Sequence, residues 1–167
     1  MEPGRYLEGG PRICRPLLND ALSRPNDPMY TITKEVHFCY GHRLMHHPGK
    51  CRHLHGHSAT AAITITAEQL NEQGMVCDFS EIKQIAARFI HKQLDHNLLL
   101  HKEDPLCPIL EAANERFLIM DEHPTAETLA KMIYLHIKNH GYRIRKVVLW
   151  ETSSASACYQ GNQTDAE

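Results

Sequence analysis

Two stretches in the first half of the chain alternate hydrophobic and polar residues, which is the pattern of a β-strand with one buried face. The first covers residues 30–40, and the second begins at His55 and continues through Ile65. Near the C-terminus, residues 143–151 are rich in Ile, Val, Leu and Trp and predict a long strand, with residues 157–159 as its hairpin partner. We therefore expect two strands towards each end of the folded region.

Between these strand pairs, hydrophobic residues recur at helical spacing and predict two amphipathic helices. The first begins with Ser80 as its N-cap and ends near residues 95–97, and the second follows Pro124 and closes at residues 139–141. Three shorter segments are expected: an extended stretch over residues 75–79, a short helix opened by Pro105 and Pro108, and an extended stretch over residues 117–120. This order predicts an α+β domain, with a four-stranded antiparallel sheet and two helices on one of its faces.

The length and composition of the chain fit one globular domain. Residues 1–28 are rich in Pro and Gly and predict a mobile N-terminal arm, so residues 29–167 of the 167-residue chain form the expected single domain. A net charge of −2 gives no sign of a nucleic-acid or membrane partner. The six cysteines form no CxxC pair, and no signal pattern is visible, so we expect a cytoplasmic protein with reduced thiols.

The segment Cys51–Ser58 carries the clearest chemical signal of the chain. Side chains alternate along a strand, so His55 and His57 point to the same face, about 7 Å apart along the backbone. Gly56 between them adds no bulk, and His42, at the end of the preceding strand, is a third candidate ligand. Three histidines around one metal ion leave a fourth position open, which is the layout of a catalytic site.

The role of Cys51 has two interpretations. As a fourth metal ligand it would close a structural zinc site. Alternatively, it is a thiolate base beside the metal, because Lys50 and Arg52 create a basic setting that lowers the pKa of a thiol. A domain of this size needs no metal to fold, so we favour the base.

Five short motifs and a closing pair follow one another through residues 30–160. In chain order they are Phe38-x-x-x-His42-Arg43, Cys51 with His55-Gly56-His57, Asp78-Phe79, Leu94-Asp95-His96, Pro124-Thr125-x-Glu127, and Glu151-Thr152. This ordered set resembles the family of 6-pyruvoyltetrahydropterin and 6-carboxytetrahydropterin synthases. The resemblance implies a tunnelling fold, in which three subunits form a barrel from their sheets and two trimers stack into a homohexamer.

The same resemblance implies a zinc-dependent enzyme acting on a small pterin substrate. The site residues that it implies are His42, His55 and His57 for zinc, Cys51, Asp95 and His96 for catalysis, and Glu151 and Thr125 for substrate binding. A carboxylate suits the pterin ring because it accepts two hydrogen bonds from a guanidine-like edge.

The short gap between Cys51 and His55 looks like that of the bacterial branch, the 6-carboxytetrahydropterin synthases that feed queuosine synthesis. This branch implies conversion of 7,8-dihydroneopterin triphosphate to 6-carboxy-5,6,7,8-tetrahydropterin, with release of acetaldehyde and triphosphate. A 6-pyruvoyltetrahydropterin synthase and a non-catalytic pterin- or zinc-binding homologue stay open as alternatives. The chain departs from the family at Tyr40, where a small residue is usual, and we expect Tyr40 to narrow or reshape the pocket.

Overall fold

The computed structural model of the chain describes residues 29–161, so the arm predicted over residues 1–28 lies outside the described residues. Within the described range, the chain forms six strands and three helices. In chain order these are β1 (Tyr30–His42), β2 (His55–Ala67), α1 (Phe79–Gln93), β3 (Asn97–His101), α2 (Cys107–Ala112), β4 (Phe117–Met120), α3 (Ala126–Asn139), β5 (Ile144–Thr152) and β6 (Ala155–Tyr159), with a 3-10 turn at Lys50–Arg52 before β2.

The strands form one mixed sheet in the order β4-β3-β1-β2-β5-β6. The pairs β1–β2, β2–β5 and β5–β6 are antiparallel, as expected, whereas β3 runs parallel to both β1 and β4. The predicted four-stranded antiparallel sheet was therefore too small. Strand β3 was missed because four of its five residues are buried, so it reads as an apolar run without the alternation of a half-exposed strand.

The start of α1 also differs from the prediction. The N-cap is Asp78, whose side chain accepts a hydrogen bond from the backbone N–H of Ser80 at 2.7 Å. Ser80 therefore lies inside the first turn, and Phe79 is the first helical residue. The extended stretch predicted over residues 75–79 forms no strand, because the described chain bends at residues 76 and 77 and Phe79 already belongs to α1.

The helices α1 and α3 pack together against one face of the sheet, as predicted. Alternate residues of β1 face them, and Val36, Phe38 and Tyr40 are all buried in the shared core. Each fully buried large apolar side chain contributes roughly 1.5–3 kcal/mol. The core face continues to His42, at the end of β1, where it becomes polar. Among the described helices, all are too short or too polar to cross a membrane.

Candidate metal centre and active site

Three histidines meet at the end of the β1–β2 hairpin. His42 pairs with His55 across the two strands, and His57 pairs with Tyr40. Directly opposite residues of an antiparallel pair share a face, and so do residues two apart along one strand. One potential ligand atom from each of His42, His55 and His57 therefore lies within 4.8 Å of the others. The structure brings together the three residues that were predicted to bind a metal.

Gly56 allows the two strands to approach closely at this point. A Cβ atom at position 56 would lie 2.9 Å from the backbone oxygen of Tyr40, which is closer than real Cβ atoms come to backbone atoms. Gly41 stands directly opposite Gly56 in the register. The glycine between the two histidines is therefore needed for the hairpin to hold them against His42.

Hydrogen bonds to backbone carbonyls orient two of the three imidazoles. The Nδ1 of His42 donates to the carbonyl oxygen of Pro124 at 2.6 Å, and the Nδ1 of His55 donates to that of His53 at 2.8 Å. A proton on Nδ1 leaves the lone pair on Nε2, which is the form that binds a metal. Burial lowers the pKa of His42 and favours this neutral form.

The Nε2 atom of His42 is buried without a hydrogen-bond partner among residues 29–161. A buried polar atom without a partner is unfavourable, and a metal ion on the three imidazoles would satisfy it. The residues therefore fit a divalent metal ion with three nitrogen ligands and an open fourth position.

Glu151 lies beside the three histidines. Its Oε1 is 3.9 Å from the Nε2 of His42 and 4.0 Å from the Nε2 of His57. The hydroxyl of Tyr40 donates a hydrogen bond to the same Oε1 at 2.5 Å. Burial and the neighbouring Glu151 raise the pKa of Tyr40 well above its ordinary value, so the hydroxyl keeps its proton and acts as a donor.

Asp95 and His96 form a second cluster with a residue that was not predicted, Cys39. The Nδ1 of His96 is 3.0 Å from the Oδ1 of Asp95, and the Sγ of Cys39 lies 3.5 Å from the Nε2 of His96. Cys39 is an odd number of residues from Tyr40, so strand alternation places it on the opposite face of the sheet from Tyr40 and His42. The two clusters thus belong to different faces.

Asp95 is ionised across the physiological range. Its burial acts to raise the pKa, but hydrogen bonds from the Cys39 backbone N–H, His91 and His96 outweigh this effect and lower the pKa of Asp95 to about 2. An ionised carboxylate of this kind orients the imidazole of His96.

An open cleft of about 690 Å³ crosses this part of the sheet. It is lined by residues at the ends of β1 and β2 and around the start of β3, among them Cys39, His55, His57, His96 and Arg116. The cleft is solvent-accessible and large enough for a small-molecule ligand.

Cys51 and Thr125 lie apart from these contacts. Cys51 is half-buried in the 3-10 turn before β2, and it belongs to neither cluster of ligand atoms within 4.8 Å of one another. This geometry favours three metal ligands over four. The Thr125 side chain caps α3 by accepting from the N–H of Thr128 at 3.3 Å. Their predicted roles in catalysis and substrate binding stay predictions.

An ion pair between the half-buried Arg43 and the buried Asp104 fixes the chain directly after the metal cluster. The Nε of Arg43 donates to the Oδ2 of Asp104 at 2.7 Å, and its second nitrogen reaches Oδ1. Asp104 is 2% exposed, and its Oδ1 also accepts from the N–H of Leu106 at 2.9 Å. Because Arg43 follows His42, this bidentate pair holds the end of β1 in place.

Sequence reasoning missed Cys39 because its neighbours, Asp95 and His96, directly precede a strand that was not predicted. The parallel pairing of β3 with β1 brings Asp95 and His96 beside Cys39. The available signal was the position of Cys39 on a predicted strand, three residues before His42. That position indicated which face of the sheet the Cys39 side chain occupies, but not that Asp95 and His96 lie beside it.

The family described as 6-pyruvoyl tetrahydropterin synthase matches residues 31–162 of the chain. A curated relative from Rickettsia typhi, named 6-carboxy-5,6,7,8-tetrahydropterin synthase, is 38% identical over 113 residues, which cover 66% of this chain and 79% of the relative. A relative of the same name from Haemophilus influenzae is 30% identical over 140 residues, covering 79% of this chain and 99% of the relative.

The fold has a solved counterpart as well. The structure of Caenorhabditis elegans 6-pyruvoyl tetrahydropterin synthase superposes with a TM-score of 0.60 at 22% identity, covering 81% of this chain and 97% of that chain. At this identity the likeness concerns the fold alone.

Proposed function

The chain belongs to the 6-pyruvoyl tetrahydropterin synthase family, and on that premise we propose that it is a zinc-dependent 6-carboxy-5,6,7,8-tetrahydropterin synthase. Its substrate would be 7,8-dihydroneopterin triphosphate, and its product a precursor of queuosine. The names of the bacterial relatives support this branch of the family. The short gap between Cys51 and His55 supports it independently.

The observation that carries the proposal is the position of Glu151 beside two of the three histidines, His42 and His57. The carboxylate lies 3.9–4.0 Å from two of the imidazole nitrogens, on the face that also holds Tyr40. A ring bound through N–H groups to Glu151 would therefore place its side chain over His42, His55 and His57. The oxygens of that side chain would lie near the metal position.

His42, His55 and His57 would hold the zinc ion through their Nε2 atoms. When bound there, zinc supplies a Lewis acid that polarises the hydroxyl oxygens of the substrate side chain. Glu151 binds the pterin edge, and the Tyr40 hydroxyl fixes the orientation of that carboxylate. Tyr40 donates to only one of the acceptor positions of Glu151, so the others stay available for the ring.

The proton-transfer roles fall to Cys51 and to the pair of Asp95 and His96. Cys51, four residues before His55, would remove a proton on one side of the substrate. His96, held by Asp95 at 3.0 Å, would deliver a proton on the other side. An imidazole suits this step because its unperturbed pKa lies near neutrality.

Within one chain, His96 is anchored on the face of the sheet opposite to the metal cluster. We therefore infer that His96 serves the metal centre of a neighbouring copy in the hexamer that the family resemblance implies. Each active site would then combine the histidines and Glu151 of one chain with Asp95 and His96 of another. This arrangement would make the assembly a requirement for turnover.

Two substitutions test the assigned roles, with turnover of 7,8-dihydroneopterin triphosphate and bound zinc as readouts. We expect His55→Ala to lose both zinc and turnover, because it removes a ligand. We expect Cys51→Ala to keep zinc and lose turnover, because it removes a proton-transfer group. If Cys51→Ala loses its zinc in equal measure, the role of Cys51 as a base is wrong.

Mixing two inactive variants tests whether the active site is shared between chains. One partner carries His57→Ala and the other His96→Ala, and the two are unfolded together and reassembled. A shared site regenerates activity in the mixed assemblies, because some sites combine two intact halves. Each variant reassembled alone is the control. A mixture as inactive as the controls would contradict the shared site.

A further inference from the structure

The distances within the second cluster suit metal binding as well as hydrogen bonding. The Sγ of Cys39 is 3.6 Å from the Nδ1 of His96 and 3.9 Å from the Oδ1 of Asp95, and the last two atoms are 3.0 Å apart. These are three different kinds of metal ligand: a thiol, an imidazole and a carboxylate. All three atoms lie within 4.8 Å of one another.

These separations match those of ligands around a tetrahedral zinc ion. Bonds of about 2.3 Å to sulfur, about 2.0 Å to nitrogen and about 2.0 Å to oxygen imply separations of about 3.5 Å for sulfur–nitrogen and sulfur–oxygen, and about 3.3 Å for nitrogen–oxygen. The distances at Cys39, Asp95 and His96 agree with these values to within about 0.4 Å. An ion could therefore bind with little movement of the backbone.

The backbone is already arranged to keep the three side chains together. His96 has a φ of 50°, a left-handed conformation that is unfavourable for a non-glycine residue. The N–H of His96 donates to the carbonyl oxygen of Cys39 at 2.7 Å, and the N–H of Cys39 donates to Asp95 at 3.0 Å. These two bonds hold His96 in a conformation that it would not adopt alone.

The remaining features of the cluster also suit a metal ion. The second carboxylate oxygen of Asp95 accepts from the Nδ1 of His91 at 2.9 Å, which orients the carboxylate in the way that hydrogen bonds orient metal ligands elsewhere. Within one chain the side chain of His96 is 76% exposed, so no other described residue of that chain closes off the cluster. The position beside the open cleft provides a path for entry.

We propose that Cys39, Asp95 and His96 form a second metal site, which binds a thiophilic divalent cation such as Zn²⁺ and inhibits the enzyme when it is filled. The binding part stands on the geometry alone. The inhibitory part rests on the proposed function, because a metal on Asp95 and His96 would occupy the pair assigned to proton transfer. The enzyme would thus require zinc at the three histidines and be inhibited by excess zinc at the second site.

A titration with Cd²⁺ tests the binding part without any measurement of activity. The probe is chosen because a cadmium–thiolate bond absorbs in the ultraviolet, whereas binding to imidazole does not produce this band. We expect the wild-type protein to bind two ions per chain at saturation and to show the band. We expect Cys39→Ser to bind one ion and to lose the band.

Two further variants are matched controls for the titration. Cys51→Ser tests the thiol four residues before His55, and Cys158→Ser tests an exposed thiol. Both should keep the second ion and the band. A band that persists in Cys39→Ser, or a wild-type protein that binds one ion, would overturn the proposed site.

Inhibition is measured separately, in protein loaded with one zinc ion per chain and without thiol reductants. Added Zn²⁺ should reduce the turnover of the wild-type protein and leave that of Cys39→Ser unchanged. Two bound ions with undiminished turnover would overturn the inhibitory role alone. A protein that is inactive at every zinc level would contradict the proposed function, while the cadmium titration would still decide the second site.

Discussion

The replacement of Tyr40 by Phe tests whether the Tyr40 hydroxyl positions Glu151 beside the three histidines. Tyr40 is 3% exposed, and its hydroxyl donates to Glu151 at 2.5 Å. A hydrogen bond to a charged acceptor contributes roughly 1.5–3 kcal/mol to stability. The side chain of Glu151 is 22% exposed, so water can recover part of this loss, and we expect the lower end of the range.

A loss of about 1.5 kcal/mol corresponds to a fall in Tm of about 3–6 °C for a chain of this size. We also expect weaker binding of the substrate, because Glu151 would no longer be held in one orientation. Ordering a free side chain costs roughly 0.5–1.5 kcal/mol, which corresponds to a rise in KM of roughly 2- to 12-fold. The kcat should change less, because Tyr40 is assigned no proton transfer.

The assays are thermal unfolding by circular dichroism and steady-state kinetics with 7,8-dihydroneopterin triphosphate. Tyr142→Phe is the matched control, because the Tyr142 hydroxyl also donates to a carboxylate, that of Glu81 at 3.0 Å, which belongs to neither cluster. It should lower the Tm and leave KM unchanged. If Tyr40→Phe lowers KM instead, Tyr40 obstructs the pterin pocket, and the reasoning that it positions Glu151 is refuted.

Three further substitutions test the surroundings of the two clusters. Gly56→Ala places a Cβ 2.9 Å from the backbone oxygen of Tyr40, so we expect a loss of about 1–3 kcal/mol and of bound zinc, measured by thermal unfolding and by metal content after dialysis. Asp104→Ala leaves Arg43 without its bidentate partner and should cost about 3 kcal/mol in urea unfolding, whereas a cost near zero would contradict the structural role of the pair. For Asp95, the folded-state pKa of about 2 lies below its ordinary value of 3.8, so its contribution to stability is complete above about pH 4 and is lost as the pH falls towards about 2. In metal-free protein, Asp95→Asn should therefore lose less stability than wild type between about pH 5 and about pH 2, and parallel losses would contradict the assignment.

Much of the antiparallel part of the fold could be predicted from the sequence. Residues 30–40 and 143–151 alternate between a buried and an exposed face, and this alternation is a local property of each strand. The helices α1 and α3 were predicted for the same reason, because each buries one stripe against the sheet. Strand β3 has no exposed face, and its parallel pairing with β1 depends on a partner far away in the sequence.

The candidate site likewise has a part that local sequence patterns predict and a part that depends on contacts between distant residues. His55 and His57 share a face because of their spacing, and His42 follows from the register of one hairpin, so local reasoning could bring the three together. The contact of His42 with the carbonyl of Pro124 joins residues that are 82 positions apart. The cluster around Cys39 depends on β3, so it could not be predicted while that strand was missing.

The identity of the reaction product tests the proposed enzymatic activity directly. Zinc-loaded protein is given 7,8-dihydroneopterin triphosphate, and the pterins and volatile products are analysed by mass spectrometry. We expect a 6-carboxy pterin together with acetaldehyde, and no product in His55→Ala. A 6-pyruvoyl pterin would contradict the assigned branch of the family, and unchanged substrate in the presence of bound zinc would contradict the proposed activity.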